Sequence, residues 1–201
     1  MVCIVAYLIL TLHETKPIQL SPLVQLPIPV MVYSSFGPTN SFSTNCWSAG
    51  SHAHADWFVS AASGSLATIK IAVEPGYVRK GRETTAGDLN LFLAQDDNGF
   101  PGAIIEQFSL PADAPSAPPP SLPLVFKSVT QPKLQAGAKY WLAAKSSGPP
   151  GEWVWHDGDR KIVQKAAREN ELGKWGSAGD FCYVGAFSVS VTTNLEPQVQ
   201  H

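Results

Sequence analysis

Glycine and proline punctuate this chain too often for long helices to form. Sixteen glycines and seventeen prolines are spread through 201 residues. Proline removes a backbone donor and clashes with the preceding turn, and glycine costs about 1 kcal/mol relative to alanine inside a helix. Such punctuation suits short strands joined by turns. The stretches between breakers have strand length and are apolar or alternate apolar with polar: 66–73 (LATIKIAV), 90–94 (NLFLA), 103–110 (AIIEQFSL), 124–130 (LVFKSVT), 139–144 (KYWLAA), 152–156 (EWVWH) and 181–191 (FCYVGAFSVSV). In the first of these, Ala67, Ile69, Ile71 and Val73 share one face, and Leu66, Thr68 and Lys70 the other, with an irregularity near 70–71. Residues 95–102 (QDDNGFPG) contain Asn98-Gly99 and Pro101-Gly102 and predict a hairpin with a long loop, positive in φ at the Asn-Gly step. The expected fold is all-β, an antiparallel β-sandwich of jelly-roll type. One segment dissents. Residues 161–172 (KIVQKAARENEL) favour a helix, with Asp159 placed to cap its start and Gly173 just past its end, so one short helix is expected there.

A sandwich of this size fits a single domain, since all-β domains commonly reach about 200–250 residues. Residues 1–12 (MVCIVAYLILTL) are apolar at the length of a signal-peptide core but lack a basic start, and they are too short for a transmembrane span. Prolines crowd 17–29, as in an extended linker. The chain is therefore divided into a leader or signal remnant with linker (1–30), the sandwich (31–194) and a disordered tail (195–201). Residues 111–123 (PADAPSAPPPSLP) cannot sustain a ladder of hydrogen bonds and read as a surface crossover. The formal net charge is −2 and no basic stripe is present, which argues against nucleic acid as a partner.

Three constellations carry candidate chemistry. In 51–56 (SHAHAD), His52, His54 and Asp56 follow part of the His-x-His-x-Asp pattern of metallo-hydrolases, and alternate residues of a strand point the same way. The next histidine of that pattern is replaced by Trp57. Asp96, Asp97 and Asn98 offer oxygen ligands suited to calcium, but without EF-hand spacing, and they equally suit a tight turn. No cofactor is otherwise expected. Third, six tryptophans are many for this length. Trp153 and Trp155 would project from one strand face; Trp141 and Trp153 suit a core. Trp155 and Trp175 lie near polar loops, where a flat ring can stack on a sugar while His156, Asp157 and Asp159 bond its hydroxyls. Glu106, Glu152, Asp157 and Glu171 are carboxylates a glycosidase would need as a pair, but spacing along the chain does not pair them. No nucleophile elbow, P-loop or dinucleotide fingerprint occurs. Cys46 and Cys182 lie near the first and last expected strands, so either a disulfide joins them or they pack as separate thiols.

Four segments resemble the bacterial exported β-sandwich domains described as choice-of-anchor domains, often found with PEP-CTERM-type sorting tails. They are 33–40 (YSSFGPTN), 55–73, 90–102 and 134–142 (LQAGAKYWL). The resemblance implies a sandwich that is secreted or displayed on the cell surface, with no catalytic set. Together these features lead to the expectation of a noncatalytic extracytoplasmic module, surface-associated or binding glycan or cell-surface polysaccharide. The alternatives are a metal-dependent hydrolase built on His52, His54 and Asp56, and a purely structural envelope or matrix domain.

Overall fold

The computed structural model describes residues 27–43, 46–49, 52–75, 88–110, 122–147, 153–162, 164–178 and 183–193. The leader, most of the Pro-rich crossover, the tail, Cys182 and Glu152 lie outside the described residues, as does the side chain of Cys46. Among the described residues the strands are β1 (Pro29–Ser34), β2 (Cys46–Ala49), β3 (His54–Val59), β4 (Gly64–Ile71), β5 (Val73–Pro75), β6 (Asp88–Asp97), β7 (Phe100–Phe108), β8 (Leu124–Lys127), β9 (Lys133–Leu134), β10 (Lys139–Ser147), β11 (Trp153–His156), β12 (Ala167–Glu169), β13 (Trp175–Ser177) and β14 (Phe187–Thr192). They form three antiparallel sheets: β1-β14-β4-β8 with β9 also on β4, β13-β12-β3-β10-β6-β7, and β2-β11-β5. This is the all-β sandwich that the spacing of breakers predicts. β1 already begins at Pro29, inside the segment read as linker.

The first two sheets pack face to face. Leu66, Ile69 and Ile71 of β4, Phe187, Val189 and Val191 of β14, and Phe126 of β8 meet Phe58 of β3, Leu142 of β10, and Leu89, Leu91 and Leu93 of β6 in one buried core. The face assignment within β4 differs from strict alternation. Its pairing with β14 shifts register so that Thr68 faces Ser190 and Leu66 faces Val191, a bulge at Ala67. The bulge returns Leu66 to the core side together with Ile69 and Ile71, and the Ala67 carbonyl turns to accept from Ser128 N. The irregularity therefore falls ahead of 70–71. β8 also stops short of Thr130, because buried Glu106 accepts hydrogen bonds from Ser128 Oγ at 2.6 Å, Val129 N at 2.7 Å and Thr130 N at 3.0 Å. That carboxylate organises a loop rather than a reaction.

The short helix expected at 161–172 is replaced by β-structure. Asp159 does cap, but it caps a turn: its Oδ1 accepts from Lys161 N at 3.0 Å. β12 then pairs with β3 and β13, which places Ala167 beside Ala55. Asn170 Oδ1 accepts from Leu172 N and Lys174 N, and Gly173 takes φ 72°, so Gly173 serves the β12–β13 turn. Sheet pairing offers Ala167–Glu169 backbone groups partners and a buried methyl contact, and this outweighs a helix preference of a few tenths of a kcal/mol per residue.

The β6–β7 hairpin is tighter than expected. Asp97 pairs with Phe100, so the connection is the two residues Asn98 (φ 52°) and Gly99 (φ 90°). Two positive φ values in succession are what a twisted two-residue hairpin needs. A β-carbon on Gly99 would meet nothing within 4 Å, so a substitution there tests backbone strain alone. Gly99→Val should lower stability by about 1–3 kcal/mol, read as a drop in the urea midpoint. An unchanged midpoint would mean that the turn is formed otherwise.

Candidate functional site

Four of the sequence-nominated polar residues, His54, Asp56, His156 and Asp157, are buried where the three-stranded sheet meets the others. β4 runs through Ala72 into β5, and backbone bonds among Ala72, His156 and Ala186 lock β11 against this joint. On β3, His54 and Asp56 point inward two residues apart. His54 Nε2 lies 3.8 Å from Asp56 Oδ2, too long for a hydrogen bond. Asp56 Oδ2 accepts from Gly185 N at 2.8 Å, while its Oδ1 has no hydrogen-bond partner among the described residues. Trp155 is fully buried, edge-on to His54 at 6.0 Å and to Phe187 at 5.8 Å, with its Nε1 donating to the Ala186 carbonyl at 3.3 Å. His156 and Asp157 are buried as well, His156 stacking on Phe42 with its Nε2 3.5 Å from Glu74 Oε1.

Burial sets the ionisation of this cluster. Desolvation, opposed by the Gly185 hydrogen bond and reinforced by Asp157, raises the Asp56 carboxyl to about 7. Desolvation, with Arg168 nearby, lowers His54 to about 4. Desolvation and the field of Asp56 raise the Tyr33 phenol. Between those two values His54 and Asp56 are a neutral pair. A carboxylic acid beside an imidazole has the chemistry for proton transfer, but both side chains are buried.

Two expectations change accordingly. Trp155 presents no ring face to solvent, so it cannot stack on a sugar, and His156 and Asp157 are interior with it. The buried positions of Trp141 and Trp153 are as expected. The His-x-His-x-Asp stretch is divided: β3 starts at His54, and His52 lies outside the strand in a shallow surface dip with Arg168, Glu169 and Glu171. Among the described residues no group of three His, Cys, Asp or Glu side chains is arranged to hold a metal ion. Both Asp96 oxygens and one Asp97 oxygen are engaged by the protein. Asp96 Oδ1 accepts from Trp141 Nε1 at 2.7 Å and lies 3.0 Å from Lys139 Nζ, its Oδ2 accepts from Gly99 N, and Asp97 accepts from Asn98 Nδ2. Desolvation pushes the Asp96 carboxyl up, but the Trp141, Lys139 and Gly99 contacts outweigh it and hold it below the usual range. Glu171 is an exposed residue of the β12–β13 turn. As for the cysteines, β2 lies on β11, Cys46 facing His156, while β14 pairs with β1 and β4.

A second candidate surface is the other face of the six-stranded sheet. Registered pairs carry Ala167, Ala55, Ala143 and Phe92 side by side across four strands, with Trp57, Trp141 and Ala94 in the adjoining row. Trp175 and Phe92 sit four strands apart, about 19 Å in a flat sheet, yet their rings are 6.3 Å apart and β13 approaches β7. The sheet is therefore curled around this face. Alanines line its floor, and their small side chains leave the space that the neighbouring rings occupy. Trp57, Phe92 and Trp175 pack over that floor and stay partly exposed. Lys139 Nζ lies 4.9 Å from the ring centres of both Trp57 and Trp141 and pairs with Asp96. Lys145 Nζ pairs with Glu169 Oε2 at 2.7 Å along the same face. Of the two tryptophans nominated for sugar stacking, Trp175 belongs here and Trp155 does not, and Asp96 borders the face through Lys139. Trp57 and Phe92 were missed, although Ala55/Trp57, Phe92/Ala94 and Trp141/Ala143 each set one alanine and one aromatic two residues apart on a strand.

No protein-family model matches this chain, and comparison with curated proteins finds no match. No helix among the described residues is long and apolar enough to cross a membrane.

Proposed function

We propose that the chain is a noncatalytic extracytoplasmic β-sandwich module that binds carbohydrate on the curled face of its six-stranded sheet. The observation that carries this is the trio Trp57, Phe92 and Trp175 held, partly exposed, over a floor of buried alanines. Flat apolar rings match the C–H faces of sugar rings, and a rigid floor keeps them in place before binding, which limits the entropy lost. The burial of the His54–Asp56 cluster supports a binding role over a hydrolytic one. Placement outside the cytoplasm rests on the resemblance to exported choice-of-anchor domains.

A glycan array followed by affinity electrophoresis in soluble polysaccharide tests the binding role. Trp175→Ala should weaken binding about thirtyfold or more, as loss of a tryptophan anchor commonly costs about 2 kcal/mol or above. Trp175→Phe should retain part of it, and Val129→Ala, at an exposed loop position after β8, should bind normally. Absence of binding to any glycan would favour a purely structural envelope or matrix domain.

A further inference from the structure

We infer, on the glycan-binding reading above, that the ligand of this face is an uncharged glycan and that the two flanking ion pairs set this preference. The two lysines beside the rings are each already matched to a carboxylate: Lys139 to Asp96 at 3.0 Å and Lys145 to Glu169 at 2.7 Å. The Lys139 ammonium is further stabilised over the rings of Trp57 and Trp141. Asp96 also accepts from the Trp141 indole, and Glu169 Oε2 from Ala53 N at 3.4 Å. Two positive and two negative groups thus border the aromatic rings and cancel locally.

A uronate or sulfate entering this face would meet an ammonium only together with its carboxylate. It would have to break that pair or suffer the repulsion of Asp96 or Glu169. A neutral sugar needs no such exchange. Each hydroxyl is both donor and acceptor, so it can give a hydrogen bond to the carboxylate and take one from the ammonium while the pair stays intact. The pairs are partly exposed, at 31% and 26% for the Lys139–Asp96 side chains and 39% and 18% for Lys145–Glu169, so both members remain within reach of a ligand. Because no net charge is neutralised on binding, the affinity should respond little to salt.

Affinity electrophoresis of the full chain in a neutral β-glucan, a neutral galactomannan, polygalacturonate and heparin separates the outcomes. Retardation by a neutral polysaccharide, changing less than about twofold between low and high salt, is expected, with none in polygalacturonate or heparin. Glu169→Gln leaves the Lys145 ammonium without its carboxylate and should create salt-sensitive retardation in the acidic polymers. Salt-sensitive binding of the unaltered chain to an acidic polymer alone would overturn the preference for uncharged glycan and leave carbohydrate binding standing. Binding to none of the four, together with an empty glycan array, would overturn carbohydrate binding itself.

Discussion

Asp56→Asn should convert a pH-insensitive stability into one that climbs with pH between about 4 and 6.5. Two buried groups with opposite slopes cancel in the unaltered protein. Asp56 is raised in the folded state to about 7 from an ordinary 3.8, so folding favours its protonated form. Its contribution is complete below 3.8 and is lost as pH rises through about 7. His54 is lowered to about 4 from an ordinary 6.5, so folding favours its neutral form. Its contribution is complete above 6.5 and is lost as pH falls through about 4. In the overlap the folded state holds a proton on Asp56 that the unfolded chain has released, and lacks one on His54 that the unfolded chain has taken up. The proton counts match, and stability stays level.

Asparagine keeps the shape of Asp56 and can accept the Gly185 hydrogen bond, but it removes one titration. The variant should gain about 3 kcal/mol from pH 4 to 6.5, at about 1.4 kcal/mol per pH unit. Near pH 8 it should exceed the unaltered protein by a similar amount, since no carboxylate is then ionised in the core. His54→Gln should show the mirror image, with stability falling as pH rises from 4 to 7. Urea unfolding at pH 4, 5.5, 7 and 8 reads all three proteins. An Asp56→Asn profile parallel to that of the unaltered protein would refute the neutral pair.

Gly185→Ala should lower stability by about 3–5 kcal/mol, at the top of the range for single substitutions. The cause is close approach and not backbone conformation. A β-carbon at Gly185 would overlap the Trp155 indole at Cε2, Nε1 and Cδ2. The indole cannot retreat, because it is fully buried between His54 and Phe187 and donates to the Ala186 carbonyl. The backbone cannot retreat either. Gly185 N donates to Asp56, its carbonyl accepts from Ser35 Oγ at 2.6 Å, and the residue bridges to Asp157. Overpacking here also strains the only hydrogen bond that Asp56 Oδ2 receives among the described contacts. Gly176→Ala is the control: a β-carbon there meets nothing within 4 Å, and stability should change by less than about 0.5 kcal/mol. Trp155→Phe in the Gly185→Ala background should recover part of the loss, because the smaller ring vacates the space. Equal urea midpoints for Gly185→Ala and the unaltered protein would show that this contact yields without cost.

Local chemistry made the strand-rich fold legible, since breaker spacing and two-residue alternation act within a few residues. The Asn98-Gly99 turn was legible for the same reason: positive φ is a property of the residue itself. Local preference failed where long-range pairing competes with it. At 161–172 a helix preference yielded to a strand laid against β3, and at Ala67 a bulge chosen by the partner strand moved the core face. The candidate site was less legible still. Trp155 and Trp175 have similar polar neighbours in sequence, yet Trp155 is in the core and Trp175 lines the curled face. Alternation says which residues share a face of a strand, and nothing about whether that face meets another sheet or solvent. Only the assembly of the sheets decides this, through registered pairing between residues far apart in the chain, such as Trp141 with Trp57 and Ala143 with Phe92. Those pairings bring rings from three separate segments onto one surface, and they carry His54 and Asp56 inward to the place where burial sets their charge.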